Sequence, residues 1–235
     1  MILANVRGRL RGPDFRLVIL ALSRGDARRR ARYERFLVEQ GPDRLLDEPG
    51  LLEGLLAVRS LAAPSPPLFT YVAVRHVLLA AGIDDPELAD YLAALLLEFG
   101  DHGRHAKIRA VDDDSYHYLV DIVADLGDED DSGERGLLLR AHLGNYSLWL
   151  AGLFPDYIAA RRTRAGGPDL PYYDELGRQG YRLASEHRLA ERFGVASIYR
   201  AAAARFPALR QAFNRLSDRV FFPDSASPDK ILRNL

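Results

Sequence analysis

Apolar positions recur at three- and four-residue intervals through most of the chain, the period of an amphipathic α-helix. Asp26 is placed as an N-cap for a helix over 26–40 that Gly41-Pro42 stops. Pro49-Gly50 introduces a short apolar helix over 51–58. Ser65-Pro66-Pro67 opens a second over 68–81, which Gly82 closes. Asp84 or Asp85, with Pro86 in the first turn, starts the next helix, which carries the stripe Leu88, Leu92, Leu95 and Phe99 and stops at Gly100. Asp112–Asp114 head a helix bearing Tyr116, Leu119, Val120 and Val123, which ends at Gly127. A long helix over 134–154 carries Leu139, Leu143, Tyr146, Leu150 and Leu153, spacings of four and three for one buried face. Pro155 breaks or kinks it, and helices over 171–190, 195–205 and 207–221 follow.

This pattern predicts an all-α fold, an irregular or orthogonal multi-helix bundle of about eight to ten helices of ordinary length. Only 17–22 and 106–111 read as strands, and neither has an evident partner. No repeat of fixed period is present. A single helical domain is expected over 1–220, with a hinge, if it has two halves, at the acidic loop 128–134. Residues 221–235, rich in Ser, Pro and Asp, read as a C-terminal tail.

Composition adds bounds. At 235 residues, 48% hydrophobic and 28% charged, the chain has the make-up of a globular protein with a sizeable core. It has no cysteine, which removes disulfides, thiolate ligands and Cys nucleophiles. Thirty Arg stand against two Lys, read first as the codon bias of a GC-rich bacterial genome and second as a preference for bidentate anion contacts. No run approaches the ~18 apolar residues of a spanning helix. The run 17–22 is too short for a signal-peptide core, so a cytoplasmic, non-membrane protein is expected.

Charge is sorted along the chain. Residues 84–134 hold 16 Asp or Glu against three basic residues, a balance of −13, whereas 1–35 and 135–235 each carry +7. Charge blocks speak to partners rather than to fold. They point to self-association or a protein partner met through charged surfaces, and the acidic block counts against nucleic acid.

Five constellations are candidates for chemistry. Glu98, His102 and His105 would share a face if their helix continued, a possible divalent-metal set. Gly100 and Gly103 interrupt it, so a polar loop is the adopted reading and no metal site is assigned. Asp128, Asp130, Ser132 and Gly133 match the first half of a calcium loop, but Leu139 stands where the bidentate Glu belongs. His142, Asn145 and Trp149 lie beside the apolar stripe of the long helix, where buried polar groups need partners and often line a pocket. Arg75 and His76 interrupt an otherwise apolar helix. Arg75 therefore needs an acid, with Asp121 or Asp125 as possible partners, or an anionic ligand. Tyr173, Gly177, Gly180, Ala184 and His187 share a face whose small residues admit a close helix neighbour.

The chain lacks a Walker A sequence, a Gly-x-Gly-x-x-Gly fingerprint, a Gly-x-Ser-x-Gly elbow and His-Glu-x-x-His. No catalytic residue and no cofactor is assigned. The primary functional expectation is a helical binding or assembly module with segregated acidic and basic surfaces. The alternative is an enzyme, metal-dependent or not, or a small-ligand-binding protein, with a pocket between the helices 68–81 and 134–154. That pocket would be lined by Arg75, His76, His142, Asn145 and Trp149.

Overall fold

The computed structural model describes residues 1–58, 62–101, 104–108, 119–128 and 133–221, with the backbone alone at 127–128. The fold is all-α: it is 80% helical, with twelve helices and no strand among the described residues. Two compact units divide the chain. One comprises residues 3–97, the other residues 1–2 with 98–235.

The first unit holds α1 (Gly12–Ser23), α2 (Ala27–Gln40), α3 (Pro42–Leu46), α4 (Leu51–Val58), α5 (Pro66–Ala80) and most of α6 (Pro86–Phe99). Its boundaries follow the capping residues. Asp26 accepts the backbone N–H of Arg28 and Arg29, Ser65 accepts that of Leu68, and Asp85 that of Leu88. Gly41 at φ +83° and Gly82 at φ +73° take left-handed backbone where two helices end. α1 packs on α2 and α4, and α4 on α5. At the α1–α4 contact a Cβ on Gly54 would stand 2.8 Å from the Ala21 carbonyl oxygen, so only glycine permits that approach. The expected strand at 17–22 is a turn and a half of α1. Val18, Ile19, Ala21 and Leu22 are buried and Leu20 faces out, a helical pattern in a run too short to reveal its period.

The second unit is built on α8 (Glu134–Leu153), with α7 (Leu119–Asp128), α9 (Pro155–Ala165), α10 (Leu170–Glu186), α11 (Arg188–Arg192) and α12 (Ala196–Leu216) around it. Only Glu134, Arg135 and Arg140 of α8 escape burial, so this helix is enclosed on all sides rather than along one stripe. Its last carbonyls lack intrahelical donors. Asn214 Nδ2 donates to the oxygens of Ala151 and Gly152 at 2.9 and 2.8 Å, and Ser217 Oγ to that of Leu153 at 2.7 Å. The expected helices 195–205 and 207–221 are one: α12 runs through Pro207 to a π turn, Ser217–Phe221. Pro207 is exposed while Phe206 and Leu209 are fully buried, so packing on the inner face holds the helix across the lost hydrogen bond.

The glycine face of α10 is a packing face. A Cβ on Gly180 would meet the Gly144 backbone nitrogen at 2.7 Å and the Arg140 carbonyl at 2.9 Å, so the α8 and α10 backbones lie against each other. A Cβ on Gly177 would overlap the Phe206 ring. Ala106 closes a 3-10 turn, Arg104–Ala106; residues 109–111 of the second expected strand lie outside the described residues. So do 112–118 of the expected acidic helix, 129–132 of the expected hinge and 222–235 of the expected tail.

Candidate functional site

The two parts of the sequence-based ligand set fall in different units: Arg75 and His76 in one, His142, Asn145 and Trp149 in the other.

Arg75 is 1% exposed and fully engaged on two of its nitrogens. Its Nε donates to Asp47 Oδ1 and its Nη2 to Asp47 Oδ2, both at 2.7 Å, and Nη2 also reaches Asp84. Asp47 first, then Asp84, hold the guanidinium above its ordinary pKa against the cost of burial. The acids are therefore Asp47 and Asp84, not Asp121 or Asp125; Asp125 stands 3.8 Å from Arg135. The α3 C-terminus brings Asp47 to α5, and the turn after α5 brings Asp84 back to it. Arg75 Nη1 is buried with no hydrogen-bond partner among the described residues. A ring nitrogen of neighbouring His76 lies 3.0 Å from the Leu46 carbonyl, fastening α5 to α3.

In the second unit, His142, Asn145 and Trp149 come together on α8 as expected from their spacing. Asn145 Oδ1 accepts the Tyr181 hydroxyl at 2.7 Å, and the Tyr181 ring stacks on Tyr199. Trp149 is the centre of an aromatic cluster. His105 stacks on it at 4.6 Å and 18°, Phe154 meets it edge-on at 5.0 Å and Phe99 edge-on at 5.9 Å. His142 packs 5.8 Å from Phe99 and 6.1 Å from Tyr146. Burial first, then the charges of Arg104 and His105, push the His142 pKa down to about 3. The ring is a neutral imidazole at physiological pH. A void of about 10 Å³ lies among Ile2, Phe99, His142, Asn145 and Tyr199, room for at most one water.

The metal reading loses Glu98 to an ion pair with Arg104 at 3.0 Å and His105 to the Trp149 face, and His102 lies outside the described residues. Among the described residues no three His, Asp or Glu are grouped to hold a metal. In the calcium-loop match, Gly133 is the residue before α8, and Asp130 and Ser132 lie outside the described residues.

One larger cavity escaped the sequence reading. It has a volume of about 110 Å³, opens to solvent, and is walled by Tyr146 and Leu150 of α8, Tyr172 and Tyr173 of α10, Leu119 of α7 and Arg161 of α9. Burial raises the Tyr173 pKa, so its hydroxyl keeps its proton. The adjacent tyrosines after Gly166-Gly167-Pro168 were the available signal; the convergence of four helices on them was not.

α2 is an exposed, strongly charged helix. None of its fourteen residues is buried. Tyr33, Phe36 and Leu37, half-buried, face α1 and α3, and the remaining circumference carries Arg28, Arg29, Arg30, Arg32 and Arg35. Arg30 pairs with Glu34 at 3.0 Å. Arg28, Arg29, Arg32 and Arg35 have no acid at ion-pair distance among the described residues. By contrast, Arg178, Arg182, Arg200 and Arg210 of α10 and α12 each have one.

Comparison of the chain with family models, curated proteins and solved structures finds no match in any of the three.

Proposed function

We propose that the protein is a binding and assembly module whose α2 docks on an acidic protein surface. The observation that carries the reading is the row Arg28, Arg32 and Arg35. At 100° per residue these three share one exposed face of α2, which Glu39 also joins one turn after Arg35, and none of the three has an acid at ion-pair distance among the described residues. Like charges at i, i+4 repel and weaken a helix by a few tenths of a kcal/mol. A partner's carboxylates remove that repulsion and accept the guanidinium forks in pairs. The chain itself carries complementary runs, Asp112-Asp113-Asp114 and Asp128-Glu129-Asp130-Asp131, so a second copy is the first partner to test. The cytoplasmic, bacterial setting expected from the sequence belongs to the same proposal. No helix of the described residues is long and apolar enough to cross a membrane.

The test is light scattering of wild type and of R28E/R32E/R35E at about 0.05 M and about 0.5 M salt, a range over which screening of exposed charges tightens several-fold. Wild type is expected to associate at low salt and to disperse at high salt. The triple variant is expected to stay monomeric at both with unchanged melting. A wild-type mass independent of salt and of these three residues contradicts the reading.

A further inference from the structure

α7 carries the acidic counterpart of the α2 surface. Residues 112–131 hold nine Asp or Glu and no Lys or Arg, and α7 lies inside them. Leu119 and Ile122 are buried, which fixes the packed face of α7. Away from that face Val120, Asp121, Val123 and Ala124 are exposed, Val120 at 61%. At 100° per residue Val120 and Ala124 form a narrow apolar stripe, and Asp121, Asp125 and Asp128 recur as a row along one flank of it. Asp121 has no cation at ion-pair distance among the described residues, while Asp125 stands 3.8 Å from Arg135. α2 repeats this pattern with the charge reversed. Ala27, Ala31 and Val38 are exposed, Val38 at 85%, and line up as an apolar stripe away from Tyr33, Phe36 and Leu37. Arg28, Arg32 and Arg35 run along one flank of that stripe.

We propose that α2 of one copy packs antiparallel on α7 of a second copy. Arg35, Arg32 and Arg28 then lie along Asp121, Asp125 and Asp128, and Val38 and Ala31 lie on Val120 and Ala124. This contact depends on the docking role of α2 and names the surface that α2 meets. Length, direction and apolar content support it. The charged rows run from 28 to 35 and from 121 to 128, and each covers about 10.5 Å of helix. Viewed from outside with its N-terminus up, each helix carries its charged row to the left of its apolar stripe. Two such faces match charge to charge only when the helices run antiparallel, which also sets opposite ends of their macrodipoles side by side. Alanine at the centre of both stripes lets the axes approach to about 8–10 Å, the usual helix-packing distance. Exposed ion pairs alone hold little. Covering Val38 and Val120 adds an apolar contribution that the pairs lack.

The experiment is sedimentation of the full chain at about 0.05 M salt, where exposed charges are least screened. Wild type, R28E/R32E/R35E, D121R/D128R and an equimolar mixture of the two variants are compared. Wild type is expected to associate. Each variant alone is expected to dissociate about tenfold more readily, because like charges then face each other across the contact. In the mixture every opposed pair of rows regains opposite charge, so association is expected to return to within about threefold of wild type. V120S keeps every charge and is expected to weaken association by a smaller factor. The three arginines, Val120 and Asp121 are exposed, and circular dichroism establishes that each variant is folded. D121R alone replaces the double variant if that one does not fold. An assembly that R28E/R32E/R35E abolishes and D121R/D128R leaves intact overturns this contact while the docking role of α2 stands. A mixture as dissociated as its separate components overturns it too. A wild-type mass independent of salt and of the three arginines removes both.

Discussion

Arg75 and His142 are both buried ionisable side chains on apolar helices, and the two regions keep them by opposite means. Around Arg75 the charge is retained and matched: Asp47 takes two of its N–H groups and Asp84 shares one. Around His142 the charge is given up: the ring sits among Phe99, Tyr146 and a void of about 10 Å³, and its pKa falls to about 3. An arginine cannot lose its proton in a protein, so burial forces a partner. A histidine can, so burial removes the charge instead. One solution pairs the charge and the other removes it, so neither leaves a free charge for a ligand. This is why the proposed function rests on the exposed arginines of α2.

Removing Asp47 should break the first arrangement most severely. Asp47→Ala leaves a buried guanidinium with only the 77% exposed Asp84, and a loss of about 3 kcal/mol is expected by denaturant titration. Arg75→Met should be milder, about 1 kcal/mol, because it removes the buried charge and leaves Asp47, 30% exposed, able to hydrate. If Arg75→Met costs more than Asp47→Ala, the site is not the paired-charge arrangement described.

The second region rests on the α8–α10 seam, so Gly180→Ala comes next. Its methyl group meets backbone on two sides, and about 1 to 3 kcal/mol of destabilisation is expected in the same assay. A neutral outcome would mean that the helices are not in backbone contact.

Acid then separates the two regions. In the unfolded chain a histidine gains its proton near pH 6.5; His142 in the fold gains it only near pH 3. Between these values the unfolded state binds more protons. The contribution of His142 is therefore intact above pH 6.5 and shrinks as pH falls toward 3. From pH 6.5 to 5 about 2 kcal/mol should be lost in wild type, and His142→Gln should flatten that part of the stability profile. Parallel profiles for the two proteins would refute a buried neutral His142.

The smallest expected effect is at Ser147, whose buried Oγ has no hydrogen-bond partner among the described residues. Ser147→Ala should be neutral or stabilise by up to about 1 kcal/mol, since it deletes an unsatisfied group. A clear destabilisation would reveal a partner for that hydroxyl.

These sites also show where sequence reasoning reaches. The starts at Asp26, Ser65 and Pro86 and the stops at Gly41 and Gly82 were legible because capping acts within a few residues. The stripe Leu88, Leu92, Leu95 and Phe99 is fully buried, as its spacing demanded. Pro207 misled because a local breaker was overruled by long-range packing of Phe206 and Leu209. α3 and α9 went unread, the first for its shortness and the second because its apolar residues are few. At the candidate sites the need for partners was legible, but the partners were not. Tyr181 lies 36 residues from Asn145, and Asp47 lies 28 from Arg75. Such pairings are fixed by tertiary packing, which leaves no periodic trace in the chain.

The central proposal is that the protein associates through the exposed arginines of α2. Native mass spectrometry of the untagged chain at low and high ammonium acetate tests it most directly. The account predicts a dimer or larger assembly at low ionic strength that disperses to monomer at high, as expected of exposed charge pairs. A bare monomer at both concentrations, carrying no partner, would contradict it.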